Sequence, residues 1–480
     1  MSRERGNPAA RPKPRNRVRE SWERLFEPVD IAALVIFRIA FGGIMVWQAE
    51  RYLTSEQLRM FIEAPYHFTY PGFSWVQPWA GDGMYVHFWV LGTLAALMAL
   101  GFLYRLSAAL FFLGFSYFFL LDQTYYLNHY YLICLVSFLM IFVPAHRAFS
   151  VDAWLRPSLR SQTAPAWALW ILRFQMGAVY FFGGIAKMNG DWLRGWPLRN
   201  WLPGSVELPG LEYLVDQVWF AIVLSYGGML FDSFVPFALL WRKTRPYAFT
   251  VAMFFHLTNS HLFSIGVFPW LSLAMTALFF DPDWPRRLAR RFGVTAAWAM
   301  QTVEGRALPY RRATAVLVTI WVTFQVLIPL RHFLYPGNVS WTEEGHRFAW
   351  HMKLRGKDSQ CGFFLHDPDT GASWEVEAQA YLWKRQYREM CPRPQLLHQF
   401  AKHVAELGRQ NGHPRVQVRS LAVVSLNGRK PLPLVDPNVD LAAEPYRWFT
   451  PAPWIMPYDT PRGQDWMPGR APDVASGGGD

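Results

Sequence analysis

Val179-Tyr-Phe-Phe-Gly-Gly-Ile-Ala-Lys187-Met-Asn-Gly-Asp191-Trp192 is an apolar span that ends on a lysine and then breaks into a Gly-Asp-Trp turn. The run to which it belongs, 165–187, is long enough to cross about 30 Å of hydrocarbon as a helix. A lysine at the mouth of such a helix is partly desolvated, which disfavours the charged form and suits the amine to act as a base. Position alone leaves a second reading open, because lysines at membrane boundaries commonly serve as anchors that snorkel to the headgroups.

Eight further apolar runs surround this one, at approximately 30–49, 84–104, 106–122, 127–145, 217–241, 246–261, 262–280 and 314–334. The seventh and eighth spans of the resulting series run together at His261, so the sequence predicts eight or nine transmembrane helices. Composition agrees with a polytopic α-helical membrane protein: 52% of the 480 residues are hydrophobic and 24 are tryptophan. The net charge of +12 does not indicate nucleic acid, because Lys and Arg flank the apolar runs. With the basic tail 1–28 in the cytosol, inner segments carry 22 Lys/Arg and outer segments before the last span carry 5. That asymmetry predicts nine crossings, with the last apolar run leaving the chain outside. The tail itself, rich in Arg and Pro, reads as disordered.

One membrane face then collects unusual polar residues. Asp122 closes the third span, Asn128 and His129 open the fourth, Lys187 ends the fifth, and His256, Asn259, Ser260 and His261 meet near the end of the seventh. Several chain-distant polar groups at one face mark a candidate site. Loops 50–83 and 188–216 lie on the same side and are long enough to form a lid. Deeper in the bilayer, Arg38, Arg173 and Asp232 fall at similar depth and are expected to form a structural ion-pair cluster.

Beyond residue 335 the texture becomes soluble and predicts a small α+β extracytoplasmic domain over 336–445. Residues 346–354 alternate like a strand with 361–366 returning antiparallel, while 377–390 and 395–410 have helical periodicity. Residues 416–425 lead through Asn427-Gly428 into a hairpin. A Pro- and Gly-rich tail, 446–480, follows. Cys134, Cys361 and Cys391 match no metal-ligand spacing, and a single bridge between the last two is open.

Several stretches resemble the vitamin K-dependent γ-glutamyl carboxylase family, also called the horizontally transferred transmembrane (HTTM) domain, in its bacterial form. They are Phe37-Arg-Ile-Ala-Phe-Gly42, Leu120-Leu-Asp-Gln-Thr124 with Asn128-His129, Leu172-Arg-Phe-Gln175, Val179 to Trp192, and Phe255-His-Leu-Thr-Asn-Ser260. Trp341-Thr-Glu-Glu-Gly-His-Arg-Phe-Ala-Trp350 and the region of Gln399 resemble its lumenal domain. The resemblance implies a lyase that couples oxygenation of vitamin K hydroquinone, or a related quinol, to carboxylation of glutamate in a peptide, using O2 and CO2 and no metal. It implies that Lys187 deprotonates the quinol and that His129 couples epoxidation to carboxylation. Asn128, Tyr126, Trp192, His256 and Asn259 are then the quinol-binding set. The chain departs from the family in carrying Ala186-Lys187 where two lysines often stand in tandem, and in lacking most of the long lumenal extension.

Three rival readings are distinct in chemistry. A quinol epoxidase without peptide carboxylation would use Lys187 and oxygen alone. A di-metal oxygenase would recruit His129, His256 and His261, although such sites require more histidines in short paired spacings. A non-catalytic membrane anchor would keep Asn128, His129 and Lys187 as interhelical polar contacts.

Overall fold

The apolar runs fold as helices wherever they occur. The computed structural model describes residues 22–203, 212–262, 265–293 and 310–458. Among them α1 spans Ala32–Thr54, α2 Gly83–Leu100, α3 Tyr104–Leu120, α4 Asn128–Phe142 and α5 Ala166–Lys187. They are followed by α6 Val218–Leu240, α7 Arg245–Leu262, α8 Phe268–Thr276, a short basic α9 Trp284–Arg291, and α10 Arg311–Leu330. The runs that merge at His261 in the sequence are therefore two separate helices. Five of the helices, α1, α2, α5, α6 and α10, are long and apolar enough to cross a membrane, and α3, α4 and α8 are shorter apolar helices.

Burial separates the central helices from the peripheral ones. The apolar windows of α5 and α1 are 72% and 61% buried, whereas those of α2, α6 and α10 are 28%, 33% and 11% buried. An apolar helix with so little protein cover is solvated by lipid tails. The helix carrying Lys187 is thus the best-covered spanning helix, packed by α4, α6, α8 and α10. Its approach to α6 depends on Gly184, where a Cβ would stand 2.4 Å from Ser233 Oγ and 2.6 Å from the Ser233 backbone nitrogen. At the end of the bundle opposite Lys187, β1 (Pro28–Asp30) pairs with β2 (Thr163–Pro165), so the chain entering α1 is tied to the chain entering α5.

The expected Arg38–Arg173–Asp232 cluster does not form. Arg38 donates to the backbone carbonyls of Ala99, Ala145 and Phe149, and Arg173 donates to those of Leu278 and Phe280, each at 2.8 Å. Helix ends and turns expose carbonyls that lack partners, and a guanidinium has five donors to offer them. The two arginines therefore cap neighbouring helix ends without a carboxylate, and Asp232 is engaged elsewhere.

The outer domain has a four-stranded antiparallel sheet in the order β4-β3-β5-β6, comprising β3 Lys357–His366, β4 Ser373–Val376, β5 Gln417–Leu426 and β6 Leu432–Pro433. One face packs on α12, Pro394–Gln410, preceded by α11, Lys384–Met390. The Asn427-Gly428 hairpin is present between β5 and β6, with both residues at positive φ. Residues 346–354 are not a strand: Phe348, Trp350 and Lys353 all have positive φ, which breaks the alternation that the sequence suggests. The folded domain also extends past the expected boundary, because Ile455 bridges Val435 and Trp454 is buried. Of the two tails, residues 1–21 and 459–480 lie outside the described residues.

Cys361 and Cys391 form a disulfide that ties β3 to the turn between α11 and α12. Such a bridge fits a domain that matures in an oxidising compartment. With the cysteines 30 positions apart, it is expected to contribute roughly 3 kcal/mol. Replacing both cysteines by alanine is expected to lower the unfolding free energy of the outer domain, read from denaturant titration, by that amount and to leave the helical bundle's transition in place.

Candidate active site

Lys187 occupies the last turn of α5, but its ammonium is not at a rim. The side chain is 6% exposed; Nζ donates to Asp232 Oδ2 at 2.6 Å and to the carbonyl of Gly183 at 3.2 Å. Asp232 lies about 21 Å along α6 from its first residue at a 1.5 Å rise per residue, so α6 runs well past the end of α5. Residues 188–202 fill the step that this overhang leaves. Trp192 places its ring 5.4 Å from Nζ and donates its indole N–H to the Ser225 carbonyl on α6 at 2.6 Å. Asp191 accepts from Asn427 and Arg429 of the outer hairpin. The amine is thus walled by α5, α6 and an indole, under a turn latched to the outer domain.

A second group sits two helical turns below. Tyr180 lies on the same stripe of α5 as Gly183 and Lys187, about 10.5 Å away along the axis. Its hydroxyl is 2.7 Å from His256 Nε2 and 2.9 Å from Thr276 Oγ1, and Thr276 donates its only hydroxyl proton to the Ser272 carbonyl. Proton counting then fixes the chain: Tyr180 donates to Thr276 and accepts from His256 Nε2–H. His256 Nδ1 is left as a buried acceptor with no partner. Asn259 follows one turn later on α7 and is half-buried. The His129 ring at the start of α4 and the His256 ring each lie 6.0 Å from the ring of Phe268. Neither imidazole hydrogen-bonds Lys187.

Asn128 and Tyr126 form a third group, one that holds a segment of the outer domain. Tyr126 donates to Asn128 Oδ1 and accepts from the Phe348 backbone N–H, and Asn128 donates to the His351 carbonyl at 3.1 Å. The segment 343–353 thereby descends onto the helices, so that Met352 Cε reaches the Gly183 turn below Lys187. His351 is 4% exposed with no partner on either ring nitrogen. Burial, followed by the neighbouring His332, pushes its imidazole down to about 3, so it is neutral at physiological pH.

The segment is held by charges that the sequence reading did not single out. Glu343 accepts from Arg355 and Lys357, and Lys357 Nζ also donates to the Trp341 and Pro392 carbonyls at 2.8 and 3.0 Å. Against the opposing effect of burial, the Arg355 guanidinium and the Lys357 ammonium hold the Glu343 carboxyl well below its usual range. A cavity between bundle and outer domain is walled by Gln123, Tyr126, Arg331, Glu343, His346 and Arg347.

Sequence reasoning found Lys187, His129, Asn128, Tyr126, Trp192 and His256 as individual residues, and the structure distributes them over three adjoining groups. Asp232, Tyr180 and His351 were missed as members. Asp232 was visible as a charge in a span, but its partner lies 45 positions away and is reached only because Lys187 turns back toward Gly183. Among the described residues no group of three or more His, Cys, Asp or Glu is arranged to hold a metal ion.

These features define an integral membrane helical protein that buries a lysine–aspartate pair beneath an α+β domain. Residues 26–284 match the HTTM domain, and residues 310–461 match the vitamin K-dependent gamma-carboxylase, lumenal domain. The chain belongs to the vitamin K-dependent γ-carboxylase family. No solved structure matches it.

Two outcomes follow. Removing one member of a buried pair strands the other charge, at a cost of roughly 3–5 kcal/mol. Asp232→Asn and Lys187→Met are therefore each expected to lower the unfolding midpoint of the purified protein more than a Lys187→Met/Asp232→Leu double variant does. In the outer domain, the Glu343 carboxyl has a folded value below its unfolded value, so its stabilisation is complete above the unfolded range and is lost as pH falls through the folded one. Glu343→Gln is expected to destabilise the domain at pH near 7 by about 3 kcal/mol and to flatten the acid limb of its thermal melts.

Proposed function

We propose that this protein is a membrane carboxylase that couples oxygenation of a quinol to carboxylation of peptide glutamate. We place its N-terminus in the cytosol, nine helical crossings between residues 29 and 335, and the domain after 335 outside. The observation that carries the reading is the Lys187 amine, buried against Asp232 and Trp192 on the helix whose Tyr180 orients His256.

An ammonium has no lone pair, so Lys187 serves as a base only after its proton has moved. Asp232, 2.6 Å away, is positioned to take it, which leaves Nζ free to accept a hydroxyl proton while the pair stays neutral overall. His256 Nδ1, an acceptor without a partner, fits the second hydroxyl of a quinol, and the rings of Phe268, Tyr130 and Trp192 supply apolar walls for its body. A reduced naphthoquinone bound there supplies, with O2, the strong base that removes a γ-proton from glutamate, and CO2 then takes the hydrogen's place. Exclusion of water by residues 188–202 and 343–353 protects such a base from quenching. His129 is assigned to coupling the two half-reactions, and Asn128, Tyr126 and Asn259 to shaping the chamber. Arg331, Arg347 and Arg393 in the wall of the outer cavity supply cations for a substrate carboxylate.

The test is an assay of purified protein in nanodiscs with vitamin K hydroquinone, labelled CO2 and a glutamyl peptide, measuring epoxide and fixed label together. Wild type is expected to give both. Lys187→Ala is expected to give neither while remaining folded. Epoxide without fixed label would leave a quinol epoxidase, and neither product from wild type would leave a membrane anchor.

A further inference from the structure

The carboxylation proposed above has a proton balance that its chamber must satisfy. Quinol and O2 going to epoxide and water are proton-neutral, whereas R–H + CO2 → R–CO2⁻ + H⁺ releases one proton per turnover. That proton appears beside an amine that is 6% exposed. Unless it leaves, Lys187 and Asp232 remain doubly protonated and Nζ has no lone pair for the next cycle.

We infer that His351 and His332 form the proton exit from Lys187, carrying one proton per turnover from the buried amine to the outer surface. His351 is a buried imidazole with neither nitrogen committed, so one nitrogen can receive a proton while the other releases its own. Its place is fixed by its neighbours: Asn128 holds its carbonyl, Met352 rests on the Gly183 turn, and the ring lies within reach of the Lys187 charge. Its ring lies 4.7 Å from that of His332 and 5.1 Å from that of His346.

The two neighbours differ in capacity. His346 Nε2 accepts from the Arg355 guanidinium and its Nδ1 faces Glu343 at 3.7 Å, so both nitrogens are occupied. His332 donates Nδ1–H to the Pro329 carbonyl at 2.7 Å, which leaves Nε2 as the lone-pair acceptor that a relay requires. His332 is half-buried and adjoins Phe333, which is 65% exposed. Lys187 and His351 are both buried, and exposure rises only at His332. The charged and titratable groups that face His351 are Lys187, His332, His346, Arg355 and Glu343. Burial, with the neighbouring imidazole and cations, keeps a proton from resting on His351, as suits a group that only passes it on. Each step breaks one N–H bond and forms another; no oxidant or reductant is involved.

The inference rests on the carboxylase reading, and the experiment separates the two. The full chain in nanodiscs carries His351→Phe or His332→Phe, which keep an aromatic ring and remove the proton site. Three quantities are measured: the thermal unfolding midpoint, menadione binding by quenching of tryptophan fluorescence, and the turnover number for CO2 fixation with and without added imidazole. The expected result is unchanged melting and unchanged menadione affinity, with a fall in kcat of about tenfold or more that imidazole restores. His351→Phe with wild-type kcat overturns the inference, as does a loss accompanied by weaker menadione binding and no imidazole rescue. If His351→Phe does not fold, His332→Phe decides by the same criteria. A wild-type protein that fixes no CO2 overturns the carboxylase reading itself, and the inference with it, before any variant is compared.

Discussion

A lysine and an aspartate taken out of water must find each other, and most of the architecture near the outer end of the bundle serves that requirement. Desolvating two ions costs several kcal/mol each, and their attraction offsets this only where geometry is close and the remaining donors are satisfied. Gly184 lets α5 and α6 approach until Asp232 and Lys187 are 2.6 Å apart. The Gly183 carbonyl takes a second ammonium proton, and Trp192 offers its face to the charge. Because α6 continues beyond α5, the pair lies beneath a ledge of protein. An amine at a true helix rim would have remained an anchor.

The outer domain completes this enclosure with an irregular segment. Four non-glycine residues between 343 and 353 adopt positive φ, a conformation that costs energy and persists only where surroundings over-determine it. Here the surroundings are Glu343 with its two cations on one side, and Asn128 and Tyr126 on the other. The segment's Trp350 packs into the helical core and not the domain core. Bundle and domain are therefore joined by buried side chains from both.

Much of this was legible from residue order. The helices fall where the apolar runs predict them, the Asn427-Gly428 turn is where a hairpin needs it, and Lys187 stands out as a charge closing a hydrophobic span. What was not legible depended on side-chain reach and on carbonyl partners. Equal depth suggested that Arg38, Arg173 and Asp232 pair, but depth along a helix says nothing about which face a residue is on, and backbone carbonyls carry no mark in a sequence. The alternation of 346–354 imitates a strand because Phe348 and Trp350 both turn toward the helical core, yet the segment that carries them twists through left-handed conformations. His351 looked like one more polar residue in that pattern; its importance lies in the bonds it does not make.

The latch between Asp191 and the Asn427–Arg429 hairpin joins the turn after α5 to the tip of a sheet in another domain. The lid over the amine and the hairpin are consequently a single mechanical part. A load applied to the sheet is transmitted through a carboxylate and a guanidinium to the turn that covers Lys187.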